Sequence, residues 1–407
     1  MDILPILSTL RRHKITALLV ILEIALTCAI VCNAVFLIGQ RLERMQMPSG
    51  VAEQELVQVQ AASIGKQPGA NARTQEDLAA LRQIPGVTAA TLVNEVPFTN
   101  SSWNSGIKLD PTQKQATLNA TMYFGENVVG TFGARLIAGR DFQAEEYLDF
   151  DTVQKAQKVP PQNAVVMITR ALGEKLWPGQ SPLGKTVYLG EDAIRVVGLV
   201  EALIRPALFG GDATAQWTLI LPVRMNTGNA SRYVLRAAPG ERERVMAAAG
   251  AALHKADPHR VILEKKTLEQ IRREFFQNDR AMAGLLAGVC VALLVVTALG
   301  IVGLGSFWVA QRRRQIGVRR ALGATRANIL HYFQTENFLL ATIGIVLGMA
   351  LAYGINLFLM AHYELPRLPA VYFPVGAVAL WLIGQLAVLG PALRAAAVPP
   401  VVATRSV

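Results

Sequence analysis

AMAGLLAGVCVALLVVTALGIVGLGSFWVAQRRRQIGVRRALGATRANILHYFQTENFLLATIGIVLGMALAYGINLFLM, residues 281–360, is an apolar run, a basic connector and a second apolar run. Ala281–Val309 carries no charge, and a helix that crosses a hydrocarbon core of ~30 Å needs about 20 apolar residues. The connector from Gln311 to Thr335 holds Arg312, Arg313, Arg314, Arg319, Arg320 and Arg326 and no acidic residue. Short loops rich in arginine stay on the cytoplasmic side. The outer ends of both runs are therefore on the opposite side.

Working outward, Ile15–Gly39 is a further apolar run with a single charge, Glu23, and Val371–Leu393 is a fourth. The first reaches roughly 37 Å as a helix, enough to cross with tilt. Arg11, Arg12, Lys14 and Arg394 flank these outlying runs on the side of the connector, so parity and charge agree. The sequence thus divides into a cytoplasmic amino-terminal segment 1–14, span 15–39, outer domain 40–280, span 281–309, cytoplasmic connector 310–335, span 336–360, outer loop 361–370, span 371–393 and cytoplasmic tail 394–407. Tyr363, Tyr372 and Phe373 are placed as interface aromatics. The expected fold is membrane α-helical, with four transmembrane helices and a large α+β extracytoplasmic domain inserted between helices 1 and 2.

Composition agrees: 52% hydrophobic residues against 17% charged ones is a membrane profile. A formal net charge of +11 would suit a nucleic-acid partner, but the cations flank apolar runs while Gln40–Arg280 is roughly balanced. Nucleic acid is excluded and the lipid membrane is the partner. Cys28, Cys32 and Cys290 lie inside apolar stretches, which suggests neither a disulfide framework nor a metal site. Ala29, Ile30 and Val31 do not form a lipoprotein signal ahead of Cys32, and the first run is too long for a signal-peptide core, so it reads as an uncleaved anchor.

A segment as long as 40–280 must bury its own core. Leu56–Val59, Val87–Val93, Val165–Thr169 and Arg195–Val200 read as strands, and Gln75–Gln83 and Arg242–Leu253 have helical spacing. Two lobes are allowed, with polar Ala144–Pro161 as a loop or lobe connection. Gly179–Thr186, GQSPLGKT, fits the phosphate-cradling P-loop pattern. A P-loop follows a strand and opens a helix, whereas here Arg170–Leu176 reads as helix before it and Thr186–Leu189 as strand after it, with Pro182 inside. A helix-to-strand turn is the better reading. His254 and His259 near Asp257 and Pro258 suit a solvated turn rather than a metal pair. No catalytic constellation emerges, so no enzyme activity and no cofactor are expected on this chain.

The connector itself places Ile316, Val318, Leu322, Ile329, Leu330 and Phe333 among its arginines, an amphipathic pattern that suits topology anchoring and partner docking equally. At Arg314-Gln315-Ile316-Gly317-Val318-Arg319-Arg320-Ala321-Leu322-Gly323-Ala324-Thr325, followed by Glu336, Gly344 and Gly348, the sequence resembles the MacB/FtsX-type ABC transporter permeases. Their signature runs roughly R-E-I-G-I-x-R-A-L-G-A-[ST]; the departure here is Gln315 in place of Glu. LRQIPGV, LIAGRDF and PLGKTVYLG in the outer domain, and PALRAAAVPPVVATR from Pro391, extend the resemblance over most of the chain.

The resemblance implies an inner-membrane permease subunit, two permeases per complex (a homodimer or a heterodimer), a separate cytoplasmic ATPase that holds the ATP and magnesium, and room for a periplasmic adaptor. It assigns ATPase coupling to Ile316, Gly317, Arg319, Arg320, Ala321, Leu322, Gly323, Ala324 and Thr325, with a short helix over Arg319–Thr325 as the moving element and the second span as a stalk. Relatives use such strokes for efflux, lipoprotein extraction or mechanotransmission to cell-wall hydrolases. A non-transporting FtsX-like regulator of a periplasmic hydrolase or sensor is the alternative.

Two acids stand in or beside the spans, Glu23 and Glu336, and charges there are costly unless paired or wet. Glu336 is expected to pair with a nearby arginine such as Arg319, Arg320 or Arg326. Glu23, with Asn33 further along, is expected to face a subunit interface rather than lipid. Gly344/Gly348 and Gly284/Gly288 are GxxxG pairs that let another helix approach.

Overall fold

The computed structural model describes residues 14–63, 69–155, 163–208, 211–228, 231–363 and 368–399. It comprises two units: one of the segments that end at Met45 and resume at Asn278, the other of Gln46–Gln277. Helix α1 (Lys14–Met45) leads to β1 (Leu56–Ser63), α2 (Ala70–Arg82), β2 (Val87–Val93), β3 (Asn104–Lys108), β4 (Leu118–Phe124), α3 (Val128–Phe132), β5 (Leu136–Gly139), β6 (Leu148–Asp149) and α4 (Phe150–Lys155). Then come β7 (Val165–Thr169), α5 (Arg170–Leu176), β8 (Thr186–Leu189), β9 (Asp192–Val200), β10 (Thr218–Leu221), β11 (Val223–Arg224), β12 (Arg232–Ala237), α6 (Arg242–Ala256), β13 (Arg260–Thr267) and α7 (Leu268–Phe275). The chain closes with α8 (Gln277–Gln311), α9 (Arg313–Ala321), α10 (Arg326–Tyr363) and α11 (Tyr372–Ala396).

The outer domain is α+β and has two lobes. In the first, β1-α2-β2 and β12-α6-β13 form an antiparallel sheet of order β13-β1-β12-β2, the split βαβ arrangement. Alternation along β1 sends Val57, Val59 and Ala61 to one face, where Leu78 and Leu81 of α2 and Val245, Ala249 and Leu253 of α6 cover them. Those helix positions recur at three and four residues, one stripe of a helix. Beneath α2 a buried charge is paired: Arg260 Nη1 lies 2.7 Å from Asp77 Oδ1, and Tyr233 donates its hydroxyl proton to the other Asp77 oxygen. Burial pushes the Tyr233 phenol well above its ordinary range.

The second lobe is inserted between β2 and β12. Its strands run β9-β7-β10-β4-β3-β8, and β8 pairs back onto β9, so the sheet closes into a six-stranded ring with β5 added beside β9. Closure removes the exposed edges that would pair with other chains. Ile107, Ala120, Val166, Ile168, Val187, Ile194, Val196 and Leu219 fill it. Val93, the last residue of β2, pairs with Arg232, the first of β12, so the chain leaves the first lobe and returns to it at adjacent positions.

The P-loop-like stretch is a helix-to-strand turn between α5 and β8. Gly179 and Gly184 there have φ of +69° and +78°, and Lys185 lies over the Trp177 ring at 5.2 Å. Ala144–Lys155, the described part of the expected Ala144–Pro161 connection, is more ordered than a plain loop. It holds β6, which pairs in parallel with β11, and α4, whose Phe150 and Val153 pack on the first lobe's core; 156–162 lie outside the described residues.

In the other unit four helices are long and apolar enough to cross a membrane. Each apolar run continues as helix into polar flanks: α1 reaches Met45, and α10 begins at Arg326, ten residues before the expected span. Val20, Ile24, Cys28 and Cys32 of α1, Leu340, Ala341 and Ile345 of α10, and Ala377, Leu380 and Val388 of α11 make a common core.

Candidate functional site

The connector folds as a short amphipathic helix, a left-handed turn and a new helix start. α9 ends in a Schellman motif: Ala324 N–H donates to Arg319 C=O at 3.0 Å and Gly323 N–H to Arg320 C=O at 3.2 Å. Gly323 adopts φ +100°, a conformation that glycine enters without Cβ strain. Thr325 then caps α10, its Oγ1 accepting the Asn328 N–H at 3.2 Å. The helical element is therefore Arg313–Ala321 rather than Arg319–Thr325, because Leu322–Thr325 is consumed by the stop and start signals.

Three contacts pin this element to the bundle. Ile316 and Gly317 are buried, Ile316 within a cluster of Val309, Ile329, Phe333, Ala392, Ala395 and Val398. Arg320 donates to the carbonyls of Ala396 and Val398 at 2.8 and 3.2 Å, placing a cation at the negative end of α11. Arg319 lies over the Tyr332 ring at 4.9 Å. Facing away, Val318 is 43% and Leu322 83% exposed. Ala321, Gly323 and Thr325 are also exposed, and Ala324 is half-buried. Sequence periodicity alone did not separate these faces. Burial of Ile316 and exposure of Leu322 do.

Glu336 does pair with a nearby arginine, and that arginine is Arg312. Arg312 Nη1 donates to both Glu336 oxygens, at 3.1 and 3.0 Å, and both residues are buried. The guanidinium also lies 5.6 Å from the Trp308 ring. Arg312 follows α8 directly while Glu336 lies ten residues into α10, so the partners meet across the hairpin at equal depth, which sequence distance conceals. Gln315, the departure from the signature, is exposed and takes no part in this pair.

A family model described as the MacB-like periplasmic core domain matches residues 17–252, more than half of the chain, and one described as FtsX-like permease C-terminal matches residues 287–400. The chain belongs to the MacB/FtsX-type ABC transporter permeases. Among relatives, "Macrolide export ATP-binding/permease protein MacB" of Chromobacterium violaceum is 28% identical over 59% of this chain and 38% of its own. "Uncharacterized ABC transporter permease YvrN" of Bacillus subtilis is 28% identical over 59% of this chain and 62% of its own. The alignment thus spans less than two thirds of either relative. "Uncharacterized ABC transporter permease YknZ" of Bacillus subtilis is 22% identical over 98% of this chain and 97% of its own.

In this permease α1 is the hub of the membrane unit, and its two faces differ. Toward α10, a Cβ on Gly344 would come within 2.9 Å of Ile24 Cβ, and one on Gly348 within 2.5 Å of Cys28 Cβ and 2.6 Å of the Ala25 carbonyl. Toward α8 spaced polar contacts are set among apolar ones: Thr27 Oγ1 bonds Thr297 Oγ1 at 2.8 Å, Arg41 pairs with Asp279 at 2.6 Å, the Glu23 carboxylate sits against Gly300, and Val31 and Ala34 cluster with Cys290. Glu23 is half-buried along α8 of the same chain. Asn33 instead points to α10, donating to the Ala352 carbonyl at 3.2 Å. Gly284 and Gly288 meet no neighbouring atom within 4 Å of a Cβ position, so that pair makes no helix contact among the described residues.

Proposed function

We propose that the chain is the inner-membrane permease subunit of a complex in which a separate cytoplasmic ATPase, holding ATP and magnesium, grips the connector. Leu322 and Val318, with Ala321, Gly323 and Thr325 beside them, form the grip; Ile316, Gly317, Arg319, Arg320 and Ala324 hold it to the bundle. One observation carries the reading: a leucine 83% exposed at the tip of a cytoplasmic turn whose backbone is fixed by a Schellman stop and a threonine cap. A large apolar side chain displayed on a rigid turn suits a partner's pocket. Motion of the turn passes through the buried Arg312–Glu336 pair to α8 and α10, and α8 continues from α7 and β13 of the outer domain. Efflux, named for the MacB relative, is the transport reading, with a second permease completing the complex and a periplasmic adaptor as a further partner.

The test is Leu322→Asp with Gly323→Asp, made in the full chain and purified gently with whatever co-purifies. Loss of an ATPase from the preparation, with the outer domain's melting transition unchanged, is the expected result. Retention of the ATPase with normal nucleotide-driven activity would defeat the reading. Substrate flux distinguishes a transporter from an FtsX-like regulator, which shows a bound periplasmic enzyme and no cargo.

A further inference from the structure

Beside the Arg312–Glu336 pair the membrane unit holds a cavity of about 20 Å³, walled by all four of its long helices. Val20 of α1 and Val388 of α11 are apolar wall, Gly305 and Trp308 come from α8, and Glu336 and Asn337 from α10. Two of these side chains are buried donors without an acceptor. Trp308 is 5% and Asn337 6% exposed, and neither Trp308 Nε1 nor Asn337 Nδ2 has a hydrogen-bond partner among the described residues. Nη2 of Arg312, within the ion pair itself, is a third such donor. A Cβ on Gly384 of α11 would come 3.3 Å from Asn337 Nδ2, so a glycine there leaves the amide its place. Left unmatched, each donor carries the full desolvation penalty of a buried polar group.

These groups fix the chemistry of an occupant. It accepts hydrogen bonds, because an indole N–H and an amide NH₂ can only donate. It is small, because one water needs roughly 10–15 Å³ of such space and the cavity has little more. It is not an anion, because the Glu336 carboxylate on the wall repels one while water donates to it. We propose that this cavity binds a single ordered water, which accepts from Trp308 Nε1 and Asn337 Nδ2 and donates to the Glu336 carboxylate. About three hydrogen bonds is the usual complement of a buried water. The tie between α8 and α10 is then a network rather than one ion pair, and part of it is bridged by a water that holds nearly as well as a direct bond. The site does not depend on which partner grips the connector.

The full chain in nanodiscs, labelled with ¹⁵N at tryptophan, tests this through the Trp308 indole signal, assigned by its loss in Trp308→Phe. A nuclear Overhauser effect from long-lived water to the Trp308 indole proton is expected, and Asn337→Leu, which removes one of the water's partners, should abolish it. The same substitution gives a sign. If Asn337 is bonded to water, Asn337→Leu lowers the melting temperature; if the amide is buried in a dry cavity, its removal relieves a penalty and the melting temperature rises. A rise overturns the proposal, as does an indole signal that shifts when bromide replaces chloride, which means an anion at the site. Should Asn337→Leu fail to fold, absence of the water effect at Trp308 in the unsubstituted chain overturns it equally.

Discussion

The two faces of α1 solve the same problem with a different balance of contacts. Against α10, glycines bring backbone to backbone and the seam is filled by Ile24, Cys28 and Ala25; within a bilayer, where no hydrophobic force separates helix from lipid, such close dispersion contact is what holds helices together. Against α8, spaced polar contacts at Thr297, Gly300 and Asp279 are joined by apolar ones at Cys290, Ile301 and Trp308, while several apolar side chains of α8, Leu285, Val296 and Leu299 among them, stay more than half exposed. A seam of that kind gives up little when it slides. The difference makes α1, α10 and α11 a frame and α8 a rod attached to it, with its firmest buried tie at the Arg312–Glu336 pair.

The largest effect is expected where rod and frame are tied. Arg312→Ala leaves Glu336 buried without its cation and should cost about 3–5 kcal/mol of stability, read as a fall in the melting temperature of the nanodisc-embedded chain. Adding Glu336→Gln should recover much of the loss, and failure to recover would show that packing rather than charge dominates there. Next comes the frame itself: Gly348→Leu forces α1 away from α10 and should cost ~1–3 kcal/mol or more, whereas Gly288→Leu, in open space, should stay within about 0.5 kcal/mol. Equal losses at the two glycines would erase the distinction between the seams. Smallest is Thr297→Val, which removes one interhelical hydrogen bond worth about 0.6 kcal/mol in a membrane. A loss several times larger would mean that α8 is as firmly seated as α10.

Much of this architecture was legible beforehand, for reasons that differ by region. Four charge-poor runs and their flanking arginines identify the membrane helices because lipid enforces apolarity over a fixed length. In the outer domain, Val87–Val93, Val165–Thr169 and Arg170–Leu176 carry local patterns strong enough to be read with their observed limits. Asn104–Lys108 and Arg260–Thr267 do not: the first is largely polar, and in the second the apolar run Val261–Leu263 gives way to Glu264, Lys265 and Lys266, so both owe their strand conformation to partners distant in sequence. At the connector the residue types were readable and their arrangement was not. Helix limits followed from Gly323 and Thr325 acting as stop and cap, and the partner of Glu336 followed from depth in the bundle, which no linear spacing encodes.

The pairing of Val93 with Arg232 has an architectural consequence. Since the outgoing and returning strands are already neighbours at that rung of the ladder, the ring of strands hangs from the first lobe as an insertion on a two-stranded neck. A tight hairpin of about two residues could bridge the cut ends, leaving β1, α2, β2, β12, α6 and β13 with every sheet partner intact. The outer domain is thus a module carrying a module, and the carried part can be exchanged or resized while the strands that join it to α1 and α8 keep their register.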